Sequence, residues 1–512
     1  MPIAKVILVP LDSRPCNVRF PQQLGRIAGC EVLTPPLEIL GNLHSAADRE
    51  HVFSWLSVSL TGGEASICAV VASIDMICYG GLVSSRKPTT TLPEAEERLR
   101  RMSDLFRGAS HIPIEAFNVI TRLSITVDCD EVAGVYENLI RYAQLFDEAR
   151  ATNDLCLEME AEKAKAKIPT DVLDSYLTAR RRNHLINCRC IEETARGIFR
   201  SLTLCQEDAA PFGFHREEQA ALRESVEANH LLDRVFIYPG ADEVASFLLA
   251  RALLQKDGLA PSLCVIYSTQ DGHERIPQFE DRPLGHSIAE RARCLGMSVV
   301  EKDEADILLF VNSPEPLSRQ EACEKQVSKE RRAALLPFVS DIATEVENGR
   351  YVVIADVAFP NGGDAEFVSL LLDRVPVSSL TAYAGWNTAG NTIGTVLAHG
   401  AMRWLAVSRG KAGTNEDTAH HRFLFERFID DWVYQSLIRP ELQSVWAPAH
   451  EASIFSLGEK TAEAEAYLRE RLTPYVTTLK QQHFRDVIAV TESEWAASLP
   501  WRRIFEVDFR LF

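Results

Sequence analysis

Apolar runs of strand length recur along the chain, and each is followed by a turn and then by a helical pattern. In the first half these runs are KVILVPL (5–11), CEVLTP, SICAVVASI (66–74), IEAFNVI (114–120), IFRSLTLC and RVFIYPG (234–240). In the second half they are SLCVIYST (262–269), MSVVEK, ADILLFV (305–311), RYVVIADV (350–357) and LTAYAG. Strands that are apolar throughout are typical of a parallel sheet covered on both faces. The pattern therefore predicts an α/β fold with a mostly parallel sheet.

Two arrangements of these strands fit the pattern equally well. The first seven runs, with one of the next two as an eighth strand, are compatible with a (β/α)8-barrel-like fold. Two or more doubly wound sheets in series are compatible with the same order of elements. The hydrophobic period does not distinguish them, and no convincing internal repeat is visible in the sequence.

Two regions depart from the strand–helix alternation. Residues from about 130 to 197 are rich in Ala, Glu, Lys and Arg and predict a helical insertion of two helices broken near Pro169. From about 401 the strand signal fades and the aromatic-rich HHRFLFERFIDDWVYQSLI predicts helices. We therefore expect an α/β core over 1–300, a further α/β segment completing the site over 301–400, and a mainly helical subdomain over 401–512.

The composition of the chain disfavours some classes of binding partner. The chain has 512 residues and a formal charge of -18, which disfavours binding to nucleic acid or to an anionic membrane surface. No signal peptide and no apolar stretch of membrane-spanning length is visible. Most of the twelve Cys lie singly in apolar segments, as expected for buried reduced thiols. We therefore expect a cytoplasmic protein.

Polar side chains follow directly after several of the strands. In parallel α/β folds of either kind, ligands bind just beyond the carboxyl ends of the strands. A single Asp or Asn at such a position commonly caps the next helix, and Asp242 precedes the helical VASFLLARALL. Caps do not need Trp, Tyr and Arg beside them, however, so the combination indicates a binding site.

The segment AYAGWNTAGNTIG (382–394) illustrates the choice between the two interpretations. It places Trp386, Asn387 and Asn391 at a strand-to-helix junction, among glycines that allow close backbone approach. These side chains are expected to line a pocket. The alternative is a buried Trp whose neighbouring amides satisfy the backbone of the loop.

Acids, amides and aromatic rings together suit a polyhydroxylated ligand such as a carbohydrate. Paired carboxylates then supply acid and base, so we expect a glycoside hydrolase. Asp208 is the expected general acid/base, with Glu207 or Asp242 as its partner and Glu243 as the alternative base. The residues expected to hold the substrate are Asp12, Arg14, Asp75, Tyr79, Arg122, Asn361, Trp386, Asn387 and Asn391.

Two other functions fit the same residues. A metal-dependent hydrolase or isomerase would use strand-end acids such as Asp12, Asp75 and Asp356 as ligands. A non-enzymatic sugar-binding protein would use two α/β lobes around a polar cleft. The sequence contains no phosphate loop, dinucleotide fingerprint, nucleophile elbow or zinc-protease motif, so we expect no cofactor. The oligomeric state is left open.

Five segments together resemble a bacterial family known as domain of unknown function 4127. They are LVPLDSRPCN, SIDMICYGGLVSSR, EDAAPFGF, YPGADEVASFLLAR and AYAGWNTAGNTIGT. The resemblance extends from Leu8 to about Arg439 and implies one bacterial family rather than a fusion. It implies no established activity. The adjacent acids of QEDAAPFG are also similar to those of glycosidases in which one acid orients the substrate's acetamido group and the next protonates the leaving oxygen.

Overall fold

A computed structural model of the protein describes residues 3–62, 66–127, 129–315, 329–410, 413–488 and 494–512. The chain divides into two compact units. The first contains Met1–Gln22, Cys30–Ala252 and Phe279–Asp281, and the second contains Gln23–Gly29, Leu253–Gln278 and Arg282–Phe512. Within the described residues, no helix is both long enough and apolar enough to cross a membrane.

The first unit is built on a six-stranded sheet with the order β2-β1-β3-β4-β5-β6. All of its neighbouring strands are parallel. Because β4 and β5 are buried along their whole length, the sheet is covered on both faces, which explains their unbroken apolar character. The strands are β1 (Ala4–Val9), β2 (Cys30–Leu33), β3 (Ile67–Ser73), β4 (Ile114–Ile120), β5 (Ser201–Gln206) and β6 (Val235–Pro239).

Helices connect these strands and enclose one large apolar core, which includes Leu99, Phe106 and Leu222 from two of them. Their bounds are α1 (Pro15–Ile27), α2 (Arg49–Thr61), α3 (Ile74–Tyr79), α4 (Leu82–Ser85), α5 (Leu92–Gly108), α6 (Asp130–Thr152), α7 (Leu155–Lys165), α8 (Thr170–Ala195), α9 (His215–Ala228) and α10 (Val244–Asp257).

The helical insertion lies between β4 and β5 and consists of three helices, α6 to α8, rather than the two expected. The additional break follows Thr152, where Asn153 ends α6 in the left-handed conformation. Asp154 then caps α7, since its side chain accepts hydrogen bonds from the backbone N–H groups of Cys156 and Leu157. The insertion has a small core of its own around Leu139, Tyr142 and Tyr176.

The second unit contains a four-stranded parallel sheet in the order β10-β9-β8-β7. Val299, from the MSVVEK run, adds a parallel bridge to Leu263 of β7. If the bridge at Val299 is counted as an outer strand beside β7, the strands of the second sheet follow the same chain order as β2-β1-β3-β4-β5 of the first unit. No repeat in the sequence indicates this similarity. The strands are β7 (Leu263–Tyr267), β8 (Ile307–Asn312), β9 (Tyr351–Asp356) and β10 (Ala382–Ala384).

The C-terminal region of the second unit is largely helical. Phe425, Phe428 and Leu472 from this region share one apolar core with Phe310 and Ile354 of the sheet. Two short antiparallel strands, β11 (Trp495–Ser498) and β12 (Asp508–Leu511), were not expected from the sequence. The helices are α11 (Leu284–Leu295), α12 (Lys329–Glu347), α13 (Ala365–Arg374), α14 (Ala389–Ser408), α15 (Thr414–Arg427), α16 (Arg439–Glu441), α17 (Ala447–Ala449) and α18 (Thr461–His483), with π-helical turns over Phe428–Ile438 and Leu442–Trp446.

The predicted α/β class with mostly parallel strands and a helical C-terminal region is confirmed. Every apolar run identified in the sequence forms a strand, except that MSVVEK contributes only the Val299 bridge. Of the two arrangements left open, the described strands form sheets in series.

Two imidazoles are buried together between α14 and α15. His399 Nε2 lies 2.9 Å from His420 Nδ1, so the two rings share one hydrogen bond. Burial lowers the pKa of His399 to about 3 and lowers the pKa of His420 well below its ordinary value. Both imidazoles are therefore neutral in the folded protein at neutral pH.

We expect these histidines to make the second unit sensitive to acid. Below the ordinary histidine pKa the unfolded chain binds protons that the folded pair does not, so stability falls as the pH drops. The slope is up to about 1.4 kcal/mol per pH unit for each imidazole. Urea unfolding between pH 7.5 and 5 should show a shallower pH dependence for His399→Phe than for the unmodified protein. The exposed His44→Phe is the matched control, and equal slopes in all three proteins would contradict the prediction.

Candidate functional site

The carboxyl edge of the first sheet has the geometry of a ligand site. The chain runs from β1 to β2 on one side and then crosses to β3 on the other, which creates a topological switch point between β1 and β3. In doubly wound sheets, ligands bind in the crevice at this point. The loops that leave β1, β3, β4, β5 and β6 all carry charged side chains at this edge.

Arg14, just after β1, is held between two aspartates. Its Nε and Nη2 donate to Asp12 Oδ2 over 3.0 and 2.7 Å. Its Nη1 and Nη2 donate to the two oxygens of Asp242, beyond β6, over 3.0 and 2.5 Å. Asn17 Nδ2 donates to the other oxygen of Asp12 over 2.9 Å. Because all of these residues are buried, the loops after β1 and β6 are fixed to each other by paired charges.

Glu207, just after β5, is bound by guanidinium groups from two other loops. Arg86, after β3, donates through Nη2 to Glu207 Oε1, and Arg122 Nη1 lies 3.7 Å from the same oxygen. Oε2 of Glu207 is buried and has no hydrogen-bond partner among the described residues. Burial raises the pKa of Glu207, and the charges of Asp208 and Asp242 raise it further, whereas Arg86 and Arg122 lower it. The pKa of Glu207 is therefore higher than that of an ordinary glutamate.

Asp208 differs from Glu207 in its surroundings. It forms an ion pair with Arg122 Nη2, which also donates to the hydroxyl of Tyr136 over 3.0 Å. Its side chain is 24% exposed, the largest exposed fraction among the paired acids of this edge. Its φ of 24° lies in a region that side-chain-bearing residues rarely adopt. Two adjacent acids thus have different environments, one desolvated and one paired with Arg122 at the surface of the site.

Asp75 and Tyr79 lie deeper, on α3. Asp75 is fully buried, and its Oδ2 accepts a hydrogen bond from the backbone N–H of Val119 over 2.9 Å. Burial raises the pKa of Asp75 to about 7. Tyr79 packs its ring against the guanidinium of Arg182, whose Cζ lies 4.3 Å from the ring centroid. Asp75 Oδ1 and the Tyr79 hydroxyl have no partner among the described residues.

Gly81 lets the loop after α3 pass close to Asp12. It has a φ of 113°, and a Cβ at this position would lie 3.2 Å from the carbonyl oxygen of Leu11. An L-residue would therefore be strained in both conformation and contact. Gly81, the second glycine of the pair before α4, is required by this approach.

The carboxyl edge of the second sheet is also acidic, but its acids bind protein groups. Asp356 ends β9, and its Oδ1 accepts a hydrogen bond from Asn312 Nδ2 over 2.9 Å. Its Oδ2 accepts from the backbone N–H of Asp364 over 2.8 Å and from the hydroxyl of Tyr383 over 3.3 Å. Arg331 Nε donates to Asp364 over 2.8 Å. Burial, and then the charge of Asp364, raises the pKa of Asp356 to about 7. This network joins the loops that follow β8 and β9.

Asp431, in the first π-helical segment, joins the loops after β9 and β10. Its Oδ2 accepts a hydrogen bond from the backbone N–H of Gly385, and its carbonyl accepts from that of Gly363, both over 2.9 Å. Its Oδ1 accepts from Arg427 Nη1 over 2.6 Å. A Cβ on Gly363 would overlap the hydroxyl of Tyr383, so this close approach needs glycine. The sequence identified this segment only as helical.

Several polar side chains of AYAGWNTAGNTIG form hydrogen bonds within the segment or to the helix that follows it. The Thr392 hydroxyl accepts from the Trp386 backbone N–H over 3.0 Å and donates to its carbonyl over 2.8 Å. The indole Nε1 of Trp386 donates to Thr395 over 3.2 Å, and Asn391 Nδ2 donates to the Thr388 hydroxyl over 3.1 Å. These bonds support the interpretation in which the amides and hydroxyls satisfy the loop.

Asn361 and Asn387 adopt left-handed φ values of 58° and 54°. The backbone N–H of Asn361 donates to the Asn387 carbonyl over 2.8 Å, so the two turns support each other. Asn tolerates this conformation better than most residues, which explains its use at both turns.

The predicted site residues thus fall in two groups. The first unit holds Asp12, Arg14, Asp75, Tyr79, Arg122, Glu207, Asp208, Asp242 and Glu243. The second unit holds Asn361, Trp386, Asn387 and Asn391. Sequence reasoning missed Arg86, although it ends the quoted segment SIDMICYGGLVSSR, and it missed Tyr136 in the insertion. Among the described residues, no three His, Cys, Asp or Glu side chains are arranged to hold a metal ion.

The family that the sequence resembles is confirmed by comparison. A family model described as "Protein of unknown function (DUF4127)" matches residues 6–510. The chain belongs to the DUF4127 family. No curated protein and no solved structure matches the chain.

Removing the charge of Arg14 should destabilise the DUF4127 fold strongly. Arg14→Met leaves two buried aspartates without their counter-charge, which costs about 3–5 kcal/mol. Arg14→Lys should be intermediate because an ammonium group cannot form both forked pairs. Urea unfolding midpoints measure the effect. The exposed Arg181→Met is the control, and a loss at Arg14 no larger than at Arg181 would contradict the prediction.

Proposed function

We propose that this protein is a glycoside hydrolase that acts on a neutral sugar derivative at the carboxyl edge of the first sheet. The observation that carries the proposal is the environment of Glu207. Its carboxyl group is 11% exposed, its pKa is raised, and its Oε2 has no partner among the described residues. A general acid at neutral pH needs these properties, because it must keep a proton and present it to the substrate.

The contrast between Glu207 and Asp208 supports a division of roles. Glu207 donates its proton to the leaving-group oxygen of the glycosidic bond. Asp208, paired with Arg122, either stabilises the developing positive charge on the sugar or orients an acetamido group. The sequence favoured Asp208 as the acid, whereas the surroundings of the two groups favour Glu207. Arg14, held by Asp12 and Asp242, then serves as the rigid frame of the site.

The atoms without partners favour a hydroxylated ligand over an anion. Arg86 Nε and Arg122 Nε are buried donors without a partner among the described residues, and Glu207 Oε2 is an oxygen in the same cluster. A sugar hydroxyl both donates and accepts, whereas a phosphate dianion or a carboxylate only accepts.

We place the activity in the cytoplasm. The twelve Cys lie mostly in apolar segments, and burial raises the pKa of the Cys78, Cys190 and Cys205 thiols. Such thiols are kept protonated and unreactive, which fits a reducing compartment.

A panel of aryl glycosides, N-acetylhexosaminides included, tests the proposal. We expect release of the aryl alcohol by the purified protein, with chelator having no effect. Glu207→Gln should lower the rate about 10²–10⁴-fold, because it removes general acid catalysis. The loss should be smallest for dinitrophenyl glycosides, whose leaving group needs little protonation.

The exposed Glu217→Gln is the matched control and should leave the rate unchanged. Asp208→Asn should lower the rate for all leaving groups alike, since its role does not involve the leaving oxygen. Full activity of Glu207→Gln would contradict the assignment of the acid. Sugar binding without any turnover would instead support a binding protein, and turnover that requires added metal would support a metal-dependent hydrolase or isomerase.

The pH dependence of kcat/KM supplies a second test. Since burial raises the pKa of Glu207, the alkaline limb should lie above the ordinary glutamate pKa. Arg86 lowers the pKa of Glu207, so Arg86→Gln should move this limb to higher pH. A limb that stays in place in Arg86→Gln would show that another group supplies the proton.

A further inference from the structure

Helix α8 of the insertion holds the loop that carries Arg86. Arg182 Nη1 donates to the carbonyls of Lys87 and Thr90 over 2.9 and 2.8 Å, and Nη2 donates to the Ser85 carbonyl. Its guanidinium face also lies on the Tyr79 ring. Arg182 is buried, and its donors satisfy backbone carbonyls on both sides of Arg86. The backbone of this loop is therefore fixed by one side chain.

The same helix holds the loop that carries Arg122. Arg180 Nη1 donates to the carbonyls of Thr121 and Arg122 over 2.8 and 2.9 Å. The hydroxyl of Tyr176, one turn earlier, donates to the Arg122 carbonyl over 2.9 Å. Arg180 is itself anchored by Glu218 of α9, with Nη2 donating over 2.7 Å.

Asn183 connects the two loops directly. Its Nδ2 donates to the Ser85 carbonyl over 2.9 Å and to the Thr121 hydroxyl over 3.1 Å. Its Oδ1 accepts from Arg182 Nη2 over 2.8 Å. Arg180, Arg182 and Asn183 thus form one cluster on α8, here called the α8 clamp. Its contacts end one residue away from Arg86 and at Arg122 itself.

We infer that the α8 clamp is a positioning device that keeps the guanidinium groups of Arg86 and Arg122 on Glu207. The clamp touches neither carboxylate of the Glu207–Asp208 pair through the contacts described above. It acts through the backbone of two loops, and its role in catalysis rests on the proposed function. The insertion is then part of the site's machinery and not only a peripheral cover.

The inference has a measurable electrostatic consequence. Arg86 and Arg122 both lower the pKa of Glu207. If the loops loosen, the guanidinium groups leave Glu207 and its pKa rises, with no change in the charge of any residue. A role in folding alone would not move this titration.

The experiment is a ¹³C NMR titration of the Glu207 carboxyl in protein labelled at glutamate side chains, with Glu207→Gln supplying the assignment. Arg182→Lys keeps the positive charge of residue 182 but cannot bridge the three carbonyls. We expect the Glu207 midpoint to rise by roughly 1 pH unit in Arg86→Gln, the reference for a lost guanidinium, and by a substantial part of that in Arg182→Lys. Arg181→Lys, on the exposed side of α8, is the matched control and should leave the midpoint unchanged.

Asn183→Ala is the second clamp variant, and its Glu207 midpoint tests the inference if Arg182→Lys does not fold. The inference is overturned if Glu207 titrates as in the unmodified protein in every folded clamp variant, or if Arg86→Gln leaves its midpoint in place. Since the titration needs no substrate, it is independent of the glycoside panel. A silent panel with a shifted midpoint would reject the proposed reaction and keep the clamp.

Discussion

Pairing of buried charges is the constraint on which the first unit depends. Arg14, Arg86 and Arg122 lie almost out of water, and a guanidinium left unpaired there costs several kcal/mol. Each therefore binds carboxylates from another loop, and the fork of Arg14 dictates where Asp12 and Asp242 can lie. As a result, the loop after β1 is held to the loop after β6, and the loops after β3 and β4 are held to the loop after β5. The same pairing leaves Glu207 desolvated and Asp208 partly exposed beside Arg122, which is the asymmetry on which the proposed function rests.

The helical insertion supports this arrangement indirectly, through the backbone of the loops after β3 and β4. Backbone carbonyls in the loops after β3 and β4 would lack partners if they were buried without α8. Arginine satisfies several of them at once because its donors are arranged in a rigid fork. The α8 clamp thus meets an ordinary requirement of folding and, in doing so, determines the orientation of the two arginines that contact Glu207.

The second unit repeats the strand order of the first but uses its polar edge differently. Asp356 and Asp431 accept hydrogen bonds from backbone N–H groups, an amide, a tyrosine and an arginine of their own unit. Trp386 and its neighbouring threonines bond back into α14. Fold and strand order are therefore shared, whereas the chemistry at the strand ends is set separately in each unit.

Local patterns were enough to predict the strands, because a strand buried on both faces must be apolar throughout and a strand end must leave the core. They also led to the prediction that Asp12, Glu207, Asp208 and Asp242 belong to a site. They could not pair Arg14 with Asp242, which lies 228 residues further along the chain, nor identify Arg86 and Tyr136 as partners of this cluster. Those contacts depend on how the connecting helices order the strands in the sheet, because that order decides which loops meet at the carboxyl edge. The spacing of hydrophobic residues along the chain does not indicate this order. Only the tertiary structure decided these contacts, and it also decided which of the two adjacent acids, Glu207 or Asp208, is desolvated.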